Sequence, residues 1–144
     1  MSNWTPPERL LLGPGPSNVS DEVRAALAMP LLGHLDPAFL ALLDEVQARL
    51  RTLFRCESGL AIPRSATGSG GMEACLGNLL EPGDTALVAV NGVCGERMLA
   101  IAERCGARSV RVDAEMGEIV SAERLIDELD RVRPRVVALV HAET

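Results

Sequence analysis

Apolar residues recur along the first part of the chain at the spacing of helices. A short helix is predicted to follow Ser20, a residue type that caps helix starts, and to stop before Pro30. A longer helix is predicted from Asp36 and Pro37, which suit the cap and the first helical position. Its apolar stripe consists of Leu40, Leu43, Val46 and Leu50. Residues 20–58 are therefore predicted to form N-terminal helices.

Beyond residue 59, short apolar runs alternate with helical patterns. Strands are predicted at 60–63, 85–90, 108–112 and 136–140. Helices are predicted at 69–80, 95–105 and 121–133. The run Thr85–Val90 has no charged residue, as expected for a strand that is covered on both faces. We therefore predict an α/β fold of three layers, with a mainly parallel sheet and helices on both of its faces.

The start of the chain has a different composition. The stretch Leu12–Ser17 contains two prolines and two glycines, which excludes a helix interior. Residues 1–19 are thus predicted to form an extended arm. The predicted organisation is this arm, the N-terminal helices over 20–58, and the first part of a large α/β domain over 59–144.

Composition narrows the class of protein. Hydrophobic residues make up 47% and charged residues 24% of the 144 residues, as in a globular domain. The net charge of −6 argues against a nucleic-acid partner, which would require a basic surface. The first residues lack the pattern of a signal peptide, and no apolar run could span a membrane. The expectation is a cytoplasmic protein with no membrane partner.

Two residue types limit the chemistry. The four cysteines form no CxxC pair, so we predict reduced thiols and no metal site. All 14 basic residues are arginines. Chemistry that needs a lysine amine therefore cannot come from these 144 residues.

Small residues mark the start of the helix predicted at 69–80. In Thr67-Gly68-Ser69, glycine lets a ligand approach the backbone and the hydroxyls add hydrogen-bond donors. The first N–H groups of a helix have no helical partner and carry partial positive charge, so this segment is a candidate anion site. It fits neither dinucleotide nor P-loop fingerprints, because Glu73 replaces the third glycine and lysine is missing. A helix start with nothing bound remains the alternative.

Six blocks of sequence, in order, resemble one known family. They are Leu11-Leu12-Gly13-Pro14-Gly15-Pro16-Ser17, Gly33-His34-Leu35-Asp36-Pro37, Thr67-Gly68-Ser69-Gly70-Gly71-Met72-Glu73-Ala74, Leu80-Glu81-Pro82-Gly83-Asp84, Asn91-Gly92-x-x-Gly95-Glu96-Arg97 and His141-Ala142-Glu143-Thr144. The chain resembles the N-terminal part of class V, fold type I pyridoxal-phosphate aminotransferases, in the alanine–glyoxylate and serine–glyoxylate branch. The resemblance covers essentially all 144 residues.

The resemblance implies roles for particular residues. Thr67, Gly68 and Ser69 would hold the phosphate of the cofactor pyridoxal 5′-phosphate. Cys94 stands where the family has an aromatic residue that stacks on the pyridine ring. Thr144 would begin a turn beside that ring, and Gly15 would lie near the substrate. His34 and His141 are interpreted as structural residues.

The resemblance also implies a function for the protein and a limit on this chain. An amino group would pass from alanine or serine to glyoxylate or another 2-oxo acid, in a homodimer. The family's catalytic lysine and the aspartate that pairs with the pyridine nitrogen come later in its sequences. The chain is therefore predicted to be cut inside the large domain, to contain no catalytic residue and to need the C-terminal part of the enzyme. The alternatives are a non-catalytic module that binds a phosphorylated ligand at 67–70, and a fragment that folds poorly.

Overall fold

The computed structural model describes residues 4–143 of the chain. They divide into two compact units. One unit is Asn18–Ser65, and the other combines the N-terminal arm up to Ser17 with the chain from Ala66 onward. No helix in the described part of the chain is long and apolar enough to cross a membrane.

The unit Asn18–Ser65 contains two helices, α1 (Asp21–Leu27) and α2 (Pro37–Leu53). Each is capped as predicted: the Ser20 hydroxyl accepts a hydrogen bond from the first turn of α1, and the Asp36 carboxylate accepts one from the Ala38 N–H at 2.8 Å. These contacts satisfy N–H groups that lack a partner inside the helix. The prediction of two capped N-terminal helices is confirmed.

The strand predicted at 60–63 is wrong. These residues are extended but join no sheet. Leu60 and Ile62 are 77% and 62% exposed, so the largest side chains of this apolar run are not buried. Pro63 has no N–H to give to a neighbouring strand. Arg51 instead holds this segment to the end of α2, because its guanidinium donates to the Gly59 carbonyl at 3.2 Å.

The other unit carries the α/β pattern. Its helices are α3 (Gly68–Leu79), α4 (Val93–Arg104) and α5 (Ala122–Val132). Its strands are β1 (Thr85–Val90), β2 (Arg108–Asp113) and β3 (Val136–Ala138). The β1 prediction matches to the residue, whereas α4 begins two residues earlier and β3 ends two residues earlier than predicted.

The three strands form a parallel sheet in the order β2-β1-β3. Thr85 pairs with Arg108 and Ala86 with Val136, so β1 has a partner on both edges. The chain passes through α4 to reach β2 and through α5 to reach β3, on opposite sides of β1. Because such crossovers are right-handed, α4 and α5 lie on opposite faces of the sheet. The predicted parallel α/β architecture with helices on both faces is confirmed.

The core of this unit is aliphatic and centres on β1. Alternate β1 side chains face α3 and α4, where Val88 packs with Leu76, Met98 and Ile101. Leu87 is fully buried as well and points to the opposite face. The centre of the sheet is therefore dry on both faces.

Candidate functional site

The first turn of α3 forms an open backbone surface. Thr67 caps it, and its hydroxyl accepts from the Gly70 N–H at 3.4 Å. The Thr67 carbonyl accepts the Gly71 N–H, so the N–H groups of Gly68 and Ser69 precede the helical ladder. A side chain at Gly68 would meet no atom within 4 Å, whereas one at Gly70 would lie 2.9 Å from the Ala66 side chain. The backbone at Gly68 is thus accessible to a ligand, and Gly70 allows the close turn.

An arginine from α4 reaches this first turn. Nη1 of Arg97 donates to the Ser69 hydroxyl at 2.6 Å. The guanidinium therefore lies at the end of α3 that carries partial positive charge, where a cation is unfavourable unless an anion accompanies it. The contact of Arg97 was not predicted from the sequence, because its partner Ser69 lies 28 residues away along the chain.

A carboxylate caps the first turn of α4. Glu143 accepts from the Cys94 N–H at 2.9 Å and from the Gly95 N–H at 3.1 Å. Gly92, at the cap position, has no side chain that could do this, and a Cβ there would lie 2.3 Å from the Glu143 Cγ. A carboxylate at a helix start is favourable because the dipole is positive there. The Glu143 carboxylate therefore already balances the partial positive charge at the start of α4.

The ends of β1 and β3 meet at a pocket of about 290 Å³. Its wall includes Asn91, Ile119, Leu125, Leu139, His141 and Glu143. The Asn91 amide donates to the Glu118 carbonyl at 2.8 Å and holds the turn after β1 against the loop after β2. In open parallel sheets, ligands bind beyond the carboxyl ends of the strands, which is where this pocket lies.

Charged residues at the end of β2 neutralise one another. The Arg111 guanidinium bonds to Asp113 at 2.6 Å and to Glu96 at 2.8 Å. The hydrogen bond from Arg111 holds the pKa of the Asp113 carboxyl below its usual range, and the two acids raise the pKa of Arg111. Arg124 adds a hydrogen bond to the Asp113 carbonyl at 2.7 Å. This cluster joins β2 to α4 and α5, and we assign it a structural role.

The structure brings some of the predicted site residues together. Thr67, Gly68 and Ser69 form the start of α3, and Cys94 is half-buried in the first turn of α4. Gly15 lies in the exposed arm, beside a cis peptide bond to Pro16. Thr144 lies outside the described residues.

The cysteine and histidine side chains give no sign of a metal centre. All four cysteines are free thiols. Over residues 4–143, no cluster of three or more histidine, cysteine and acidic side chains could hold a metal ion. His34 and His141 are both exposed. Glu143 was a second residue missed from sequence, because it lies five residues after the end of β3 and its partner Cys94 is 49 residues away along the chain.

Comparisons with known proteins support the resemblance. No family model matches the chain. It is 36% identical over 138 residues to (S)-ureidoglycine–glyoxylate transaminase of Bacillus subtilis, covering 96% of this chain and 33% of the relative. It is 38% identical over 138 residues to alanine–glyoxylate aminotransferase of Rattus norvegicus, with coverage of 96% and 33%.

Solved structures agree with these relatives. Alanine–glyoxylate aminotransferase from Nostoc sp. superimposes with a TM-score of 0.85 at 45% identity, over 99% of this chain and 38% of that one. Ureidoglycine–glyoxylate aminotransferase from Bacillus subtilis gives a TM-score of 0.85 at 35% identity, over 98% and 36%. The chain thus spans about a third of the length of the relatives that it matches.

Proposed function

We propose that this chain, a homologue of alanine–glyoxylate and ureidoglycine–glyoxylate aminotransferases over about a third of their length, is the phosphate-binding part of such an enzyme. The reaction would move an amino group from alanine or serine to glyoxylate or another 2-oxo acid. Bound pyridoxal 5′-phosphate would supply the electron sink for this chemistry. The observation that carries the proposal is the open first turn of α3.

The two helix starts beside the sheet support this choice of phosphate site. At α4, the Glu143 carboxylate accepts the N–H groups of Cys94 and Gly95, so a second anion there would be repelled by a carboxylate that is already bound. At α3, Gly68 is open to approach, and a hydroxyl of Thr67 or Ser69 could donate to phosphate. The residues present therefore fit a phosphate group at α3 and disfavour one at α4.

The ring of the cofactor would meet a smaller surface than in enzymes that have an aromatic residue at this position. The position holds Cys94, whose thiol offers a small polarisable contact but no π face for stacking. Glu143 accepts the Cys94 N–H and thereby fixes the backbone at this position. We propose that Cys94 packs against the ring and that binding depends more strongly on the phosphate.

The remaining assignments are proposals from the resemblance. Gly15 would approach the substrate, and Thr144 would lie beside the ring. These 144 residues would hold and orient the cofactor, but they contain no lysine to move a proton at the substrate Cα. We therefore propose that they do not catalyse transamination by themselves.

We also propose a homodimer as the assembly. Leu10 and Leu12 of the arm are 79% and 86% exposed, which supports burial against a second subunit or the rest of the enzyme. The four free thiols fit a reducing compartment, and we propose the cytoplasm.

A chimera tests the proposed function directly. The aligned third of the Rattus norvegicus alanine–glyoxylate aminotransferase would be replaced by this chain, and transfer from alanine to glyoxylate would be followed by pyruvate formation. We expect activity, since the rest of that enzyme would supply the residues this chain lacks. A folded chimera that binds pyridoxal phosphate without turnover would favour the non-catalytic module.

Two glycine variants of the chimera form a matched pair. Gly68→Asp would place a carboxylate at the α3 start, where it competes with phosphate and abolishes cofactor binding. Gly77→Asp adds the same charge near the other end of the helix and should leave binding unchanged. Both sites have space for a side chain, so loss of folding is not expected in either variant. Equal cofactor binding by the two variants would contradict the assignment of the phosphate site.

A further inference from the structure

Arg97 is a cation that pairs with no acidic side chain among residues 4–143. Its Nη1 donates to the Ser69 hydroxyl at 2.6 Å, and its side chain is exposed. Within the described residues, Arg97 takes part in no ion pair, whereas Arg111 contacts both Glu96 and Asp113. The guanidinium has five N–H donors, and the bond to Ser69 uses one of them.

The position of this cation is opposite to the usual rule for helices. Acidic groups are favourable at a helix start and basic groups at its end. The start of α4 obeys the rule through Glu143, but the start of α3 receives a guanidinium from Arg97. The arrangement becomes favourable when a dianion occupies the α3 start, because both the dipole and the guanidinium then attract it.

The Ser69 hydroxyl can bond to Arg97 and to a ligand at the same time. Its oxygen accepts the hydrogen bond from Arg97, so its own proton is available to a different acceptor. A phosphate oxygen near the Gly68 and Ser69 N–H groups would satisfy this proton and the remaining guanidinium donors together.

We propose that Arg97 is a phosphate-binding residue of this site and that Ser69 orients its guanidinium toward the phosphoryl group of the cofactor. The inference rests on the proposed function, because it assumes that the phosphate lies at the start of α3. It adds a charged side chain from α4 to a site otherwise made of backbone and hydroxyl groups. The ligand chemistry is a phosphate monoester, with inorganic phosphate as its smallest form.

Binding measurements on the 144-residue chain test this role. Dissociation constants would be measured by calorimetry for pyridoxal 5′-phosphate, inorganic phosphate and pyridoxal, which lacks the phosphate. We expect Arg97→Gln to weaken both phosphate ligands by about tenfold or more and to leave pyridoxal unchanged. Arg97→Lys should keep part of the affinity, since it retains the charge but not the planar fork.

Arg104→Gln is the matched control. Arg104 lies in the last turn of the same helix and is also exposed, so its removal changes the net charge equally. It should leave all three dissociation constants unchanged. Far-UV circular dichroism of each variant would verify that the helices remain.

The outcomes separate this inference from the proposed function. A parent chain that binds neither phosphate ligand would overturn the phosphate site at the α3 start and, with it, the role of Arg97. A parent chain that binds pyridoxal phosphate with an affinity insensitive to Arg97→Gln would overturn the role of Arg97 alone. Equal losses for pyridoxal and pyridoxal phosphate, or equal effects of the Arg97 and Arg104 variants, would also overturn it.

Discussion

The carboxylate of Glu143 accepts a hydrogen bond from the backbone N–H of Cys94 at 2.9 Å, across 49 residues of sequence. This contact joins the segment after β3 to the first turn of α4. Because β3 pairs with β1 and α4 follows β1, the contact closes the carboxyl edge of the sheet. The position of Cys94 therefore depends on a residue near the other end of the domain.

Removing this carboxylate should destabilise the start of α4. Glu143→Ala leaves the N–H groups of Cys94 and Gly95 without their acceptor and removes a favourable charge from the helix start. We expect a loss of about 1 kcal/mol in the free energy of unfolding, measured by urea denaturation. Glu143→Gln retains an acceptor oxygen and should lose less. An alanine variant as stable as the parent would show that the contact contributes nothing.

Gly92→Ala should disturb the same contact from the other side. A Cβ at residue 92 would lie 2.3 Å from the Glu143 Cγ, so the carboxylate must move away from α4. We expect a destabilisation at least as large as that of Glu143→Ala, and a much smaller one when Gly92→Ala is made in the Glu143→Ala background. Additive effects in this double-mutant cycle would contradict the steric argument. Gly77→Ala, in an open helical position, is the control and should not destabilise.

Cys94→Trp should strengthen cofactor binding. The change introduces an aromatic face at the position proposed to contact the pyridine ring, and stacking is worth about 0.5–1.5 kcal/mol. We expect a dissociation constant for pyridoxal 5′-phosphate about threefold to tenfold lower, together with quenching of the new tryptophan fluorescence. Cys105→Trp is not a suitable control, since Cys105 packs against the core, but Cys75 is exposed and Cys75→Trp should change neither quantity. Unquenched fluorescence at residue 94 with saturating cofactor would contradict the proposed ring position.

The cluster at the end of β2 should make stability depend on pH under acid conditions. The hydrogen bond from Arg111 lowers the pKa of Asp113 in the folded state, while the unfolded carboxyl keeps its ordinary value of about 3.9. The contribution is thus complete above the unfolded value and is lost as the pH falls through the lowered one. Both side chains are about half exposed, so we expect less than about 1 kcal/mol.

Urea denaturation of the parent and of Arg111→Gln measures this effect. The urea midpoints of the two proteins should differ at pH 7. They should converge as the pH falls below the pKa of the free carboxyl. A difference that stays constant with pH would assign the effect of Arg111 to packing instead of charge. Arg104→Gln should show no such convergence.

Local patterns in the sequence were enough to predict most elements. Thr85–Val90 was recognised because an uninterrupted apolar run suits a strand covered on both faces, and Ser20, Asp36 and Ser121 each occupy a helix cap. The segment 60–63 failed because apolar character alone does not provide a neighbouring strand, and this segment has none to pair with among the described residues.

The two contacts that define the candidate site could not be predicted in this way. Arg97 meets Ser69 because α3 packs beside α4, and Glu143 meets Cys94 because β3 pairs with β1. Both contacts join residues that are far apart in sequence, so no local pattern indicates them. The Thr67–Ser69 segment was found because a helix start is a local feature. The phosphate contacts of Thr67, Gly68 and Ser69, the roles of Gly15 and Thr144, and the ring contact of Cys94 stay predictions.

The central place of β1 also sets an order of assembly. Its pairing with β2 closes a loop of 23 residues, as between Thr85 and Arg108, whereas pairing with β3 spans about twice that length. Each doubling of a loop raises the entropic cost of closure by about 0.6 kcal/mol. The β1–β2 pair with α4 should therefore form first, and β3 should join a surface that already exists. The Glu143 contact, which needs β3 in place, would be among the last to form, so the candidate site would be completed only at the end of folding.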